Sequence, residues 1–291
     1  MNESPIGVFD SGVGGLTVLK ALAAELPHER FVYLGDTARL PYGTKSPDTV
    51  ARYAVQAAEA LLEYGVKCLV IACNTASSVG LRAIREHIEG IPVVGVIEPG
   101  AEAACAASKS GHIAVIATEG TVRGGAYQEA ILRLREHARV VAQPTQLFVA
   151  LAEEGLHEGP IAENVARHYL WPIFQNNRAD TSTARNAVIP TEPPDADVAQ
   201  RPDTLVLGCT HFPMLARAIR TAVGPHIRIV DSAATTAKSV RELLTRQHLS
   251  RPAGAGATRF LATDSVERFA RIGSRFLARP IDPAEVELID L

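Results

Sequence analysis

The chain has 291 residues, a formal net charge of −3 and 47% hydrophobic residues, which is long and apolar enough for one or two domains with buried cores. A near-neutral balance with scattered Arg and Lys excludes the electrostatic footprint of a nucleic-acid binder or an anionic-membrane binder. No run of about eighteen consecutive apolar residues occurs, so no transmembrane helix is expected, and the opening MNESPIGVFD lacks a basic leader. The cysteines, Cys68, Cys73, Cys105 and Cys209, therefore read as reduced thiols of a cytoplasmic protein rather than a disulfide framework.

In chain order, residues 5–10 (PIGVFD) predict a first strand, followed by the glycine-rich turn Ser11-Gly12-Val13-Gly14-Gly15 and a helix over 16–26. Residues 30–36 form the next strand, and 37–45 a loop turned by Leu40-Pro41-Tyr42-Gly43. Ser46 caps a helix with Pro47 in its first turn, and Gly65 closes it. A strand over 68–73, a helix to about 88 and a strand over 92–97 follow. Pro99-Gly100 predicts a break, after which a small-residue helix leads to a strand at 112–118. A turn with Gly120, Thr121, Gly124 and Gly125 opens another helix, then come a strand at 139–144 and helices at about 146–154 and 160–176. Residues 177–202 lose all periodicity and read as an exposed, mobile insertion. A strand ending at Cys209, a helix, a strand at 227–231, a helix over 233–247, a strand near 257–263, a helix over 265–278 and a strand over 286–291 complete the chain.

Strands alternating with helices over the whole length predict α/β architecture with parallel sheets. The halves also repeat. Asp10 and Cys73 lie 63 positions apart, Thr118 and Cys209 lie 91 apart, and the excess is close to the length of the aperiodic stretch. Two similar lobes are expected, 1–98 with 231–291 and 99–230, each offering one cysteine loop to a shared cleft.

The chemistry centres on two stretches, CLVIACNTAS (68–77) and TLVLGCTHFP (204–213). Each is an unbroken apolar run, the mark of a strand buried on both faces, ending in a cysteine before a helix. Ligands of parallel sheets bind beyond such strand ends, and a helix start favours a thiolate. Cys68 and Cys105 lack this placement and read as packing. Zinc is not implied, because Cys-x-His at 209–211 and Cys-x4-Cys at 68–73 do not match its spacings. A dithiol redox centre would need Cys-x-x-Cys, which is not present. The turn after Asp10 lacks the third glycine of a dinucleotide fingerprint, and the acid ahead of it would repel a pyrophosphate. A small zwitterion suits it better, with turn amides and Ser11 for a carboxylate and Asp10 for an amino group or as assistant to the thiol. His211, two residues past Cys209, is placed to activate that thiol. None of the few lysines sits at a predicted strand end in a context that suggests a Schiff base, so pyridoxal phosphate is not implied.

The segments DSGVGGLTVL (10–19), GDTARLPYG (35–43), ACNTAS (72–77), ATEGTV with Tyr127 (117–127), LAEEG (151–155), GCTHFPML (208–215) and DSA (231–233) together resemble the glutamate racemases, a branch of the cofactor-independent aspartate/glutamate racemase superfamily. The resemblance implies a two-lobed enzyme that interconverts L- and D-glutamate for peptidoglycan, with the active site between the lobes. It further implies Cys73 and Cys209 as the acid/base thiols, Asp10 assisting Cys73, and His211 assisting Cys209 with Glu153 nearby. Ser11, Tyr42, Gly43, Asn74, Thr75, Thr118, Thr121 and Thr210 match positions that hold the substrate, as does Asp10, while Asp36 matches a further acidic position. No cofactor or metal is implied. Dimers are common in the family, so a homodimer is an expectation. Phe212 stands where relatives often have Tyr, and Gly124 where they often have a small hydroxyl residue. A racemase of aspartate or another small acid, a two-lobed solute-binding protein and a thiol-redox protein remain as alternatives.

Overall fold

The computed structural model describes residues 3–174 and 201–291. The stretch read as an insertion lies outside the described residues except for Arg201 and Pro202, and Pro202 is buried. Two parallel sheets result from the alternating pattern. The first is built from β1 (Ile6–Asp10), β2 (Arg30–Gly35), β3 (Cys68–Ile71), β4 (Val93–Gly95), β9 (Ala257–Ala262) and β10 (Val286–Leu288), in the order β10-β9-β2-β1-β3-β4. The second contains β5 (His112–Ala117), β6 (Arg139–Pro144), β7 (Thr204–Gly208) and β8 (Arg228–Asp231), in the order β6-β5-β7-β8. The order β2-β1-β3-β4 of the first sheet is thus repeated by β6-β5-β7-β8 in the second.

The repeat extends to register. Ile6 pairs with Cys68 and Ile113 with Thr204. Continued along the strands, this sets Ser11 beside Cys73 and Thr118 beside Cys209. The alignment of Asp10 with Thr118 drawn from loop spacing is therefore one residue off, because Asp10 is the last strand residue and Thr118 the first one beyond its strand.

Every residue of β1, β3 and β7 is buried, as expected of strands covered on both faces. Successive side chains enter different cores. Ile6, Val8 and Val70 join an apolar cluster that runs without interruption to Val115 and Leu207 of the second sheet, whereas Phe9, Leu69 and Ile71 pack in a separate cluster. The shared cluster passes through α1 (Leu16–Glu25), α5 (Ile97–Ala107) and α11 (Ser232–Arg246), and α11 packs against both α1 and α5. Fully burying each Leu or Ile there is worth about 1.5–3 kcal/mol. Apolar packing therefore ties the two sheets together.

The remaining helices follow the sequence pattern closely. α2 (Pro47–Leu62) begins at Ser46, whose Oγ accepts the Thr49 N–H. The helix predicted after Cys73 is split at Gly80 into α3 (Asn74–Val79) and α4 (Leu81–His87). Pro99-Gly100 is no break: it lies in the first turn of α5, where a missing N–H costs no helical hydrogen bond. The glycine-rich turn at 120–125 is itself α6 (Glu119–Gly124), and Gly125, at φ 70°, ends it before α7 (Ala126–Leu134). Then come α8 (Leu147–Glu154), α9 (Gly159–Phe174), α10 (Ala216–Val223) and α12 (Val266–Leu277). Among the described residues no helix is long and apolar enough to cross a membrane.

Candidate active site

The carboxyl ends of β1, β3, β5 and β7 converge on a cavity whose empty space, counted with the solvent at its open mouth, is about 510 Å3. Cys73 and Cys209, each only 5% exposed, both line it. Close approach of small residues makes the convergence possible. A Cβ on Gly14 would stand 2.4 Å from the His211 ring and from Thr210 Oγ1, and one on Gly43 would stand 2.9 Å from Thr118 Cβ. The glycine-rich turn after β1 thus receives the second thiol loop rather than a phosphate. Thr17 Oγ1, donating to the Thr210 carbonyl at 2.8 Å, fastens the contact.

The two thiols have different neighbours. Cys73 Sγ contacts Ser11 Oγ at 3.5 Å and accepts the Ala76 N–H at 3.4 Å. Burial, with the negative charge of Asp10 next in weight, pushes this thiol up to about 12. Cys209 Sγ lies 3.8 Å from His211 Nδ1, and His211 Nε2 lies 3.1 Å from Glu153 Oε1. Burial alone would lower the His211 pKa. Hydrogen bonds to Cys209 and Glu153, with the charges of Cys209 and Asp10, overcome it and raise the imidazole to about 10. His211 is an imidazolium at neutral pH. The hydrogen bond from His211 holds Glu153 below the ordinary carboxylate range, against burial and with help from Arg268.

Asp10 is buried behind the wall and is not among the cavity-lining residues. Its Oδ1 accepts the Gly12 N–H at 2.9 Å and its Oδ2 the Thr210 hydroxyl at 3.4 Å. Burial raises its pKa, opposed chiefly by His211. Asp10 therefore lies between the two thiol loops rather than beside Cys73 alone.

Polar groups rim the cavity. Thr75, Thr118 and Thr121 join their hydroxyls at 2.9, 3.0 and 3.1 Å across the two sheets, with Thr121 behind the two that line the wall. Asn74 Oδ1 accepts the Tyr127 hydroxyl at 2.8 Å, while its buried Nδ2 has no hydrogen-bond partner among the described residues. An unpaired buried donor is expensive unless something accepts from it, which suits an anionic ligand. Tyr42 donates to Asp36, and Asp36 also accepts from Arg39 Nε at 2.6 Å and Thr263 Oγ1 at 2.9 Å. Burial and the Asp36 charge push the Tyr42 phenol well up, so it stays protonated. Asp36 is fully buried and supports Tyr42 from behind.

The family model described as Asp/Glu/Hydantoin racemase matches residues 7–169. A glutamate racemase of Geobacter metallireducens is 46% identical over 273 residues, covering 94% of this chain and 92% of the relative. The chain belongs to this racemase family. Among solved structures, a glutamate racemase isoform from Bacillus anthracis has a TM-score of 0.87 at 33% identity, covering 100% of this chain and 99% of the other. A glutamate racemase from Francisella tularensis, in complex with D-glutamate, has a TM-score of 0.85 at 32% identity, covering 100% and 98%.

Of the residues matched to racemase positions, Ser11, Tyr42, Gly43, Cys73, Asn74 and Thr75 line the first side of the cavity. Thr118, Glu153, Cys209, Thr210 and His211 line the second. The departures from the racemase pattern are absorbed by packing. Phe212 is fully buried, T-shaped against Phe148, and a Cβ on Gly124 would meet Ser78 Oγ. Sequence reasoning missed Gln146 and Val149, which also line the cavity. They follow β6 as the Tyr42 loop follows β2, so the repeated strand order carried the signal. Arg39 and Arg268, which hold Asp36 and Glu153, were missed as well.

Proposed function

We propose that this chain is a glutamate racemase using Cys73 and Cys209 as acid/base groups on opposite faces of the α-carbon. The observation that carries the reading is one cavity lined by two buried thiols at equivalent strand ends, with unlike partners. Racemisation removes a proton from one face and returns one to the other, so the two groups must begin in opposite protonation states. Burial keeps Cys73 a thiol, and the His211 ring stands 3.8 Å from the Cys209 sulfur as its acid/base partner. This resting arrangement suits proton removal from L-glutamate by Cys209 and proton return from Cys73.

In this reading Asp10 and the His211–Glu153 pair set those states, and Thr210 links them. The Asn74 amide, the Ser11 hydroxyl and the threonine group of Thr75, Thr118 and Thr121 receive the carboxylates and amino group, with Tyr42, Gly43 and Thr210 completing the wall. Fixed donors at the α-carboxylate stabilise the carbanion as it develops. The two sheets and their helices act as lobes, 1–98 with 231–291 and 99–230. We place the product in peptidoglycan synthesis, the enzyme in the cytoplasm, and its assembly as a homodimer. Circular dichroism of L-glutamate with the purified protein in deuterium oxide tests the reaction. Loss of optical rotation with α-deuterium uptake is expected, whereas turnover of L-aspartate in preference would replace the substrate assignment.

A further inference from the structure

Helix α12 packs on the side of the first sheet, against α1 and β10, yet three of its residues meet the neighbours of the second thiol. Arg268 Nη2 donates to Glu153 Oε2 at 2.8 Å. Arg275 Nη1 donates to the Glu153 backbone carbonyl at 3.0 Å, at the end of α8 where helical carbonyls lack partners. The Phe276 ring stands T-shaped to the His211 ring, with centroids 5.1 Å apart. Positions 268 and 275 are two helical turns apart and so share a face.

We propose that Arg268 is a positioning residue for the second thiol: it occupies one oxygen of Glu153 so that the other is held toward His211, the partner of Cys209. This rests on reading Cys209 as a proton-transferring group. Positive and negative groups alternate from Arg268 through Glu153 to His211, whose Nδ1 stands 3.8 Å from the Cys209 sulfur. Around His211 stand Asp10 from the end of β1, Glu153 from α8, and Cys209 and Thr210 beside it, while Arg268 reaches it through Glu153. The Arg268 side chain is 50% exposed and that of Glu153 17%. A half-exposed pair contributes little to stability, but a free Glu153 would turn toward water and lose its aim. Proton transfer at Cys209 then depends on a helix from the opposite side of the cleft, so seating of α12 and readiness of the thiol are coupled.

The test reads each thiol without turnover. The full chain is alkylated with iodoacetamide across a pH series, and Cys73 and Cys209 peptides are quantified separately by mass spectrometry. Arg268→Gln is expected to raise the pH of half-maximal Cys209 alkylation by about half a unit, with Cys73 unmoved. Arg268→Lys is expected to shift it in the same direction by less. Added to Glu153→Gln, either change is expected to do nothing further, because both act through one carboxylate. An unmoved Cys209 profile, an equal shift at Cys73, or an undiminished shift in the Glu153→Gln background would overturn the proposal. Failure of the unaltered protein to racemise glutamate would instead overturn the assigned reaction, and the alkylation result would stand apart from it.

Discussion

Cys73 leaves the first sheet and Cys209 the second at equivalent points, five residues beyond the β1–β3 pair Ile6–Cys68 and the β5–β7 pair Ile113–Thr204. The neighbours then differ. Cys73 meets a serine hydroxyl, a helix N–H and the field of a buried carboxylate. Cys209 meets an imidazole that is itself backed by a carboxylate and an arginine. A repeated backbone supplies two like positions, and a few side chains make them chemically unlike. A racemase needs that combination, since its two faces require the same reach but opposite protonation states.

The comparison breaks most completely if either thiol is removed. Cys73→Ala and Cys209→Ala should each lower the racemisation rate by about a thousandfold or more, the scale of a lost acid/base group, as followed by polarimetry. Residual racemisation within tenfold of the unaltered enzyme in either variant would contradict a two-base mechanism.

Removing the imidazole sharpens the contrast. His211→Asn should slow the Cys209 half-reaction by about a hundredfold and leave that of Cys73 less affected. Asp10→Asn, lying between the loops, should touch both but favour Cys73. Because the equilibrium between enantiomers fixes the ratio of the two kcat/KM values, the asymmetry is read from kcat and KM separately. Equal losses in both half-reactions for both variants would remove the division of labour.

A smaller effect concerns how the loops meet. Gly14→Ala places a methyl against His211 and Thr210, so it should displace the Cys209 loop while leaving the Cys73 loop in place. Such overpacking costs about 1–3 kcal/mol, visible as a lower Tm and a rate reduced about tenfold. An unchanged rate would mean that the loop is not held there.

The pH profile gives the subtlest contrast. His211 titrates at about 10 and Cys73 at about 12. As pH rises through about 10 the imidazolium beside Cys209 is lost, while Cys73 still holds its proton. L-glutamate turnover should therefore fall above about pH 10, and His211→Asn should remove that limb. A limb unchanged in His211→Asn would assign it to another group.

Much of this was legible in the sequence because it is local. Apolar runs without alternation mark doubly covered strands, and a cysteine at the end of each run marks the site. Ser46 and Pro47 mark the start of α2 for the same local reason. What was missed depends on contacts between distant segments. Arg268 and Glu153 are separated by 115 positions, and nothing in either segment names its partner. Gln146 and Val149 reach the cavity only because the second sheet repeats the strand order of the first. Pro99 was misread because a proline tolerated in a first turn looks, in sequence, like a proline that ends a helix. The resemblance ties Asp10 to Cys73; its hydrogen bond from Thr210, 200 positions away, joins it to the second thiol loop as well, and no local pattern announces that contact.

The most direct test of the two unlike thiols separates the proton transfers with a substrate that carries a leaving group, threo-3-chloroglutamate. Proton loss alone commits it to eliminate chloride, so no returning acid is required. The Cys73→Ala enzyme should eliminate chloride from the L-enantiomer only, and Cys209→Ala from the D-enantiomer only, measured as chloride release. Elimination from both enantiomers by either single-thiol variant would contradict the account and assign both faces to one base.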